Sequence, residues 1–382
     1  MSAKIYFDNS ATTRVCERAM SKAFEMMGEC YSNPSSLYNF GMQSEQEILS
    51  ARTNVASWLG CKSDEVYFTS GGTESNNTAV FGVCDAGRRV GNHIVTTTVE
   101  HPSVLAPFEQ LEKRGWQVTY VSPSGDDEAF AQSIVAACTD ETVLVSVMAV
   151  NNEIGTIFNV SDIAARVKKA YPKVIFHTDA VQCVSKKKIN LAQTKIDLLS
   201  MSGHKMHAPK GIGVLYIRRG TKVTPLMFGG GQEKNFRSGT ENVPAICALG
   251  VACADLCENH GEYGAHIEAL YTYFLEQCKK RPQLALNSPD FGRAVPYIIN
   301  VSAEGVPSEV MLNFLAGYNV FVSSGSACAR GVSSHVLKAV NLPQNRINSA
   351  LRVSFSRYNT IDEIDYFFKI LDLGINKLVK KR

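Results

Sequence analysis

The sequence predicts an α/β fold, in which a mainly parallel sheet of seven strands with outer helices is accompanied by a smaller α/β domain. Apolar, strand-like segments alternate with helix-like segments from about residue 45 to residue 220. A chain of 382 residues is also too long for one small hydrophobic core. In addition, polar residues follow the ends of several apolar segments, which is where an open parallel sheet binds its ligand.

Seven apolar segments are predicted to form the strands of the large sheet. They are Val66–Ser70, His93–Thr98, Gln117–Val121, Thr142–Val150, Val174–Ala180, Asp197–Ser202 and Gly213–Arg219. Helices are predicted between them at Ser75–Ala86, Pro102–Arg114 and Ser161–Tyr171. The polar ends of these strands are therefore expected to meet at one edge of the sheet.

The pattern changes after Gly229-Gly230-Gly231, and the later residues predict the smaller domain. A long helical region is expected from about Ala245 to Arg281, with a break near Asn259-His260-Gly261. The later strands are predicted at Tyr297–Ser302, Val320–Ser324 and Leu351–Ser356, followed by a closing helix at Thr360–Val379. We expect a large domain at residues 13–257 and a small domain formed by residues 1–12 and 258–382, to which Ile5–Phe7 returns.

Composition and charge favour an enzyme of the cytoplasm over a nucleic-acid or membrane protein. The formal net charge is only +3, and no apolar run reaches the length of a membrane span. The N-terminus lacks the long apolar stretch of a signal peptide. Eleven cysteines without a C-x-x-C pair do not indicate a disulfide framework. Cys253, Cys257 and His260 lack a fourth ligand, so no metal site is expected.

Lys205 gives the strongest chemical indication in the chain. It lies in Ser202-Gly203-His204-Lys205, directly after the apolar run from Ile196 to Met201. A charged lysine at the end of a buried strand is costly unless its amine is used, for example as an imine with an aldehyde cofactor. Asp179 ends another predicted strand and could pair with a pyridinium nitrogen. Together these residues indicate pyridoxal 5'-phosphate (PLP) chemistry.

Ser70-Gly71-Gly72-Thr73 is a candidate phosphate-binding segment. Glycines let the backbone approach an anion, and Thr73 with the first helical N–H groups could donate hydrogen bonds to it. A plain strand-to-helix loop with a threonine cap would have the same sequence. His101 follows the second predicted strand, and its ring could stack on a flat cofactor and carry protons. The alternative for His101 is an ordinary loop or core histidine.

Asp179, Gln182 and Cys328 complete the candidates. Gln182 lies one helical turn after Asp179 and could bond the phenolic oxygen of a pyridine cofactor. Asp179 could instead be a helix cap. Cys328 lies in a small-residue segment from Ser323 to Gly331. An exposed loop cysteine is either a liability or a nucleophile, and Arg330 could favour its thiolate.

These segments together resemble the NifS-like cysteine desulfurases of the class V aminotransferase family, which are fold-type I PLP enzymes. The resemblance covers nearly the whole chain. Its motifs are Tyr6 to Thr13, Asn33-Pro34-Ser35-Ser36, Thr69 to Asn76, Glu100-His101, Val150 to Gly155, Ser202 to Lys205, Arg237-Ser238-Gly239-Thr240 and Ser323 to Cys328.

The resemblance implies a role for each candidate residue. Lys205 would bond to the cofactor, His101 would stack on its ring, Asp179 would face N1 and Gln182 would bond O3'. The phosphate would be held by Thr73, Ser202 and His204, with Thr240 reaching in from a second subunit, hence a homodimer. Asn152 and Arg352 would hold the substrate carboxylate, since a guanidinium grips a carboxylate with two hydrogen bonds. A surface ion pair is the alternative for Arg352.

The implied reaction converts L-cysteine to L-alanine. Lys205 would move the Cα proton, and the Cys328 thiolate would take the substrate sulfur as a persulfide. A sulfur-acceptor protein would then receive it. The segment from Cys328 to Val336 is slightly shorter than in housekeeping long-loop members, and Arg330-Gly331 replaces their small hydroxyl residues. An iron–sulfur scaffold, a tRNA-thiolation enzyme and another relay protein therefore all remain open as acceptors.

Two rival functions share many of these features. A class V aminotransferase or a selenocysteine lyase would use the same cofactor site, but a transaminase has no use for Cys328. A non-catalytic scaffold could also keep the fold. Lys205, Asp179 and Arg352 argue against a scaffold, because it need not keep an expensive buried lysine.

Overall fold

The structure is a computed structural model that describes residues 4–123, 126–184, 187–290, 292–324 and 334–379. The chain divides into two compact units. The large unit comprises Arg14–Ala149 and Phe158–His260. The small unit comprises Met1–Thr13, Val150–Ile157 and Gly261–Arg382, so that the short segment 150–157 belongs with the C-terminal part of the chain.

The large unit is built on a seven-stranded sheet. Its strands are β2 (Val66–Thr69), β3 (His93–Thr97), β4 (Gln117–Val121), β5 (Thr142–Ser146), β6 (Ile175–Asp179), β7 (Leu198–Ser202) and β8 (Gly213–Ile217), and their spatial order is β2-β8-β7-β6-β5-β3-β4. β8 is antiparallel to both β2 and β7, and the other neighbouring pairs are parallel. This confirms the predicted mainly parallel sheet and its seven strands.

Helices cover this sheet and bury most of its strands, although the edge strand β4 stays partly exposed. The longer helices of the large unit are Glu17–Gly28, Asn39–Leu59, Gly72–Gly87, Pro102–Glu112, Asp127–Ala137 and Val160–Ala170, with 3-10 turns at Ser63–Glu65, Leu191–Gln193 and Gly203–Lys205. One core cluster packs Val80, Val83 and Phe108 from two of these helices against Ile94 and Leu144 of the sheet. The helices Gly72–Gly87 and Pro102–Glu112 each follow a strand, so their N-termini lie at the carboxyl edge of the sheet.

The small unit has two short sheets. In one, β1 (Ile5–Tyr6) pairs in parallel with β11 (Val320–Phe321), so the N-terminal strand returns to the late part of the chain. In the other, β10 (Ile298–Ala303) lies between β9 (Leu284–Leu286) and β12 (Ala350–Ser354), antiparallel to both. The later helices are Ser308–Ala316, His335–Ala339, Gln344–Asn348 and Ile361–Val379.

The predicted break near Asn259-His260-Gly261 is wrong, because the helix Val243–Lys279 runs without interruption through 37 residues. A glycine in a helix interior costs only about 1 kcal/mol relative to alanine. A side chain added at Gly261 would meet no atom, so this glycine marks no close contact within the described residues.

Among the described residues no helix is both long and apolar enough to cross a membrane.

An aromatic cluster forms the core of the small unit. The Phe274 ring packs against Phe355, Phe367 and Phe368, with centroids 5.7, 5.6 and 4.7 Å away. Phe7 of the N-terminal segment lies against Phe355 at 5.4 Å. The cluster therefore joins the first residues of the chain to its last helix.

Phe274→Ala should lower the free energy of unfolding by about 3–5 kcal/mol, because the fully buried ring would leave a cavity. Urea unfolding measures the change. Tyr366→Ala removes a ring that is 36% exposed and should cost about 1 kcal/mol or less. Equal losses in the two variants would contradict the assignment of Phe274 to the core.

Candidate active site

The sheet of the large unit brings several predicted site residues to one edge. β3, β5, β6 and β7 are parallel, so their carboxyl ends face the same way. Asp179 is the last residue of β6, and Ser202 is the last residue of β7. His101 follows β3 and caps the helix Pro102–Glu112. Lys205 lies in the 3-10 turn directly after Ser202.

A series of hydrogen bonds joins Asp179 to His101. Asn76 Nδ2 donates to Asp179 Oδ2 at 2.7 Å and to Ser103 Oγ at 2.8 Å. Ser103 Oγ lies 2.8 Å from His101 Nδ1, and the Ser103 N–H donates to the same ring nitrogen at 3.1 Å. Because Nδ1 accepts from the backbone, the neutral His101 ring carries its proton on Nε2. Asn76 and Ser103 are site residues to which the sequence assigned no role.

The Asp179 carboxylate is buried but well satisfied. It is 5% exposed, and its second oxygen, Oδ1, accepts from the Val181 N–H at 2.9 Å. Hydrogen bonds from Asn76 and Val181 stabilise the charged form of a carboxylate. A charged acid held at the carboxyl edge of the sheet is suited to pair with a cationic ring nitrogen.

Glu100 is a second buried acid near this edge, and its environment is different. It is fully buried, and its Oε1 accepts from Thr97 Oγ1 and from the Met148 N–H, both at 2.8 Å. Burial, with a smaller contribution from the charge of Asp179, raises the pKa of Glu100 to about 8. Glu100 is therefore protonated at neutral pH, while the motif Glu100-His101 alone gave no indication of its charge.

Two histidines of the large unit, His177 and His204, are also kept neutral. His177 is fully buried in β6 and bridges the neighbouring strands, with Nδ1 2.8 Å from Ser146 Oγ and Nε2 3.0 Å from Ser200 Oγ. Burial lowers the pKa of His177 to about 3. Burial and the nearby charges of Lys205 and Lys210 lower the pKa of His204 to about 4. Neither ring adds a positive charge at neutral pH.

Gly71 and Gly72 lie beside Ser202 and form what is called the glycine cradle below. A side-chain carbon added at Gly71 would lie 3.8 Å from Ser202 Oγ, and one added at Gly72 would lie only 2.7 Å from Val181 Cγ2. Gly72 begins a helix of 16 residues, and Thr73 is in its first turn. Backbone N–H groups at a helix N-terminus with an adjacent hydroxyl are a suitable site for phosphate. The structure thus brings the predicted phosphate residues Thr73 and Ser202 to one place.

Gln182 and Thr240 are the two remaining predicted site residues of the large unit. Gln182 is buried, three residues after Asp179. Thr240 is exposed and lines a cavity of about 220 Å³ together with Ser70 and Arg237 of the same chain. The contribution of Thr240 to a second subunit stays a prediction.

The small unit brings Asn152 and Arg352 together. Arg352, on β12, is 2% exposed, and its Nη1 donates to the main-chain oxygen of Asn152 at 2.9 Å. Its Nη2 donates to Asp8 Oδ1 at 2.8 Å, a contact that sequence reasoning missed. The buried Nε finds no acceptor among the described residues. Arg352 is therefore not the surface ion pair considered as its alternative.

Cys328 lies outside the described residues. The residues on either side of its segment are anchored within the small unit. Ser323 exchanges backbone hydrogen bonds with Arg352, and Ser334 Oγ donates to Glu153 Oε2 at 2.5 Å. Ser323 thus pairs with Arg352 itself, and Glu153, the partner of Ser334, directly follows Asn152 in the chain.

Comparison with known proteins agrees with this geometry. The family described as Aminotransferase class-V matches residues 5–367. Cysteine desulfurase IscS of Clostridium botulinum is 39% identical over 100% of this chain and 96% of its own length. Cysteine desulfurase 2 of Trichormus variabilis is 41% identical over 98% of this chain and 94% of its own.

Solved structures show the same relationship. A structure described as a NifS-like protein has a TM-score of 0.91 and 34% identity, covering 97% of this chain and 99% of its own. SspA in complex with cysteine has a TM-score of 0.80 and 32% identity, covering 94% of this chain and 100% of its own. The chain therefore belongs to the class V aminotransferase family and, within it, to the NifS-like cysteine desulfurases, which are fold-type I enzymes.

Stability should depend on pH through Glu100. Its pKa is raised in the folded state, so the stability it contributes is complete below its ordinary pKa of 4.5, falls as the pH rises from there to about 8, and changes little above that. Between pH 6.5 and 9 the wild type should lose about 2 kcal/mol more stability than Glu100→Gln, whose amide stays neutral.

The measurement is the free energy of unfolding in urea at several pH values. Exposed Glu109→Gln is the control, and it should keep the wild-type pH dependence. Parallel curves for the wild type and Glu100→Gln would mean that Glu100 is already ionised at pH 6.5.

Proposed function

We propose that this protein is a PLP-dependent desulfurase that converts L-cysteine to L-alanine and carries the sulfur as a persulfide on Cys328. The observation that supports it most is the series Asp179–Asn76–Ser103–His101, next to the glycine cradle at Ser202. A pyridine aldehyde phosphate needs an acid to pair with its ring nitrogen, a flat side chain to stack on its ring, and a site for its phosphate. The named relatives are desulfurases.

The residues described above fit PLP. Thr73, Ser202 and His204 would hold the phosphate, and Thr240 would join them from a second copy in a homodimer. Asp179 would face the ring nitrogen, Gln182 would bond the phenolic oxygen, and His101 would stack on the ring. Lys205 would bond covalently to the aldehyde carbon through Nζ. When bound, the cofactor acts as an electron sink for bonds broken at the substrate amino acid.

The protein's own groups would carry out the transfer. Asn152 and Arg352 hold the carboxylate of L-cysteine, since a guanidinium grips a carboxylate with two hydrogen bonds. Once the substrate amine has displaced it from the cofactor, Lys205 Nζ is a free amine that would take the Cα proton and later return a proton to carbon. The Cys328 thiolate attacks the substrate sulfur, and the carbon–sulfur bond breaks. Cys328 then carries the extra sulfur, and L-alanine leaves, so that atoms and electrons balance.

The other thiols support the choice of Cys328. Burial raises the pKa of many described cysteines, which keeps them as weakly nucleophilic thiols. These are Cys61, Cys84, Cys138, Cys183, Cys247, Cys253, Cys257 and Cys278. The cysteines that the structure describes are free thiols, which favours a reducing compartment, so a cytoplasmic location belongs to the same proposal. The acceptor would be an iron–sulfur scaffold or a tRNA-thiolation enzyme.

Cys328→Ser should lower both sulfide and alanine release from L-cysteine at least 100-fold, because the sulfur has no nucleophile to receive it. The assay follows both products in the presence of a reductant, with bound PLP checked by its visible absorbance. Cys257→Ser, a change at an exposed cysteine, is the matched control and should keep wild-type rates.

The other outcomes of this assay point to the rival functions. Unchanged alanine release from Cys328→Ser would indicate a lyase that needs no thiol, such as a selenocysteine lyase. No release from the wild type, despite bound PLP, would indicate an aminotransferase with another substrate. A wild type that binds no PLP would remove the cofactor assignment and favour a scaffold.

Arg352→Lys should raise the KM for L-cysteine by about 10- to 100-fold, because an ammonium cannot replace the planar two-pronged donor. Absorbance of bound PLP should stay unchanged, since Arg352 is assigned to the substrate and not to the cofactor. Arg346→Lys in the same unit is the control. Arg346 donates to Asn287 Oδ1 at 2.9 Å and has no assigned role. An unchanged KM in Arg352→Lys would contradict the carboxylate site.

A further inference from the structure

A buried ion pair closes the open edge of β2. This strand is the first in the sheet order and pairs with β8 alone. On its other side, the Phe68 N–H donates to Glu233 Oε2, and the Val66 carbonyl accepts from Arg52 Nη1, both at 2.8 Å. Arg52 and Glu233 also pair with each other through two hydrogen bonds of 2.8 and 2.7 Å. The pair thus takes the place of a neighbouring strand.

Both members of this pair are withdrawn from water. The side chains of Arg52 and Glu233 are 10% and 3% exposed. The Arg52 guanidinium also lies over the Phe68 ring, 4.7 Å from its centroid. Removing one partner would leave the other charge buried and unpaired, which is strongly unfavourable. Arg52 and Glu233 therefore fix each other and the segments that carry them.

Glu233 sits in a strained turn. Glu233, Lys234 and Asn235 have φ angles of 47°, 60° and 64°, which lie in the left-handed region. Non-glycine residues are disfavoured there, and three in succession persist only when surrounding contacts hold them. The Asn235 N–H bonds the Gly231 carbonyl at 2.9 Å, which closes the turn. The ion pair with Arg52 is the buried contact that holds it to β2.

Side-chain hydrogen bonds link the residues at this turn to the candidate phosphate-binding segment, Ser70 to Thr73. After it, Arg237 Nε donates to Glu74 Oε1 at 2.9 Å, and Glu74 Oε2 accepts from the Ser70 N–H at 2.8 Å. Gln232 Oε1, within the turn, accepts from the Gly239 N–H at 2.9 Å, next to Thr240. The turn therefore contacts both the segment before the glycine cradle and the segment that ends in Thr240.

We propose that Arg52 and Glu233 are positioning residues for the cofactor phosphate. They hold the strained turn, and the turn places Arg237, Glu74 and the Ser70 backbone so that the glycine cradle has the shape a phosphate needs. This inference rests on the proposed function, because it concerns the site assigned to PLP. The hydrogen bonds of Arg52 and Glu233 go to each other and to the β2 backbone, so each would act on the phosphate through Arg237 and Glu74.

The test compares PLP with pyridoxal, which has the same ring and aldehyde but no phosphate. Binding to the full-length chain, freed of cofactor, is measured by quenching of tryptophan fluorescence. Glu233→Gln should lower the affinity for PLP at least tenfold and change the affinity for pyridoxal less than twofold. A purely structural role would weaken both ligands alike. Glu128→Gln is the control, because it breaks an exposed two-pronged pair with Arg166.

Three results would overturn the proposal or its basis. If Glu233→Gln keeps the wild-type ratio of PLP to pyridoxal affinity, the pair has no positioning role. If that variant does not fold, Glu74→Gln replaces it, since it breaks the link to Arg237 and leaves the buried pair intact. An unchanged ratio in Glu74→Gln would then overturn the inference. A wild type that binds PLP no better than pyridoxal would overturn the cofactor assignment, and this inference with it.

Discussion

Parallel pairing of β3, β5, β6 and β7 is the constraint on which the large unit's site depends. It sends the carboxyl ends of these strands to one edge, so that residues far apart in sequence become neighbours. Asn76 uses this arrangement by donating to Asp179, 103 residues away, and to Ser103. A single amide thereby links the acid of one strand end to the histidine that follows another.

Burial then decides which groups carry charge. Asp179 keeps a network of donors that stabilises its anion, whereas Glu100 is fully buried with a pKa raised to about 8. His177 and His204 are neutral for the same reason, since burial also disfavours their cations and so lowers their pKa values. The edge of the sheet therefore places the hydrogen-bonded Asp179 carboxyl group near one neutral acid, Glu100, and near neutral imidazole rings. Such separation of similar groups is a common property of catalytic sites.

The same balance governs the two buried arginines. Arg352 in the small unit is held by Asp8 and a main-chain oxygen, yet its Nε lacks an acceptor among the described residues. Arg52 in the large unit is satisfied by Glu233 and by the β2 backbone. The described groups around Arg52 thus satisfy its guanidinium, whereas those around Arg352 leave one buried nitrogen without an acceptor.

The sequence by itself determined the elements and the strand-end residues, because periodicity and short motifs are local. Asp179, His101, Ser202 and Lys205 could be found because each directly follows an apolar run. Only the tertiary structure decided the strand order, the unbroken helix Val243–Lys279, the neutral state of Glu100 and the partners Asn76 and Glu233. Charge state and pairing depend on burial and on contacts between distant segments, which no local pattern contains.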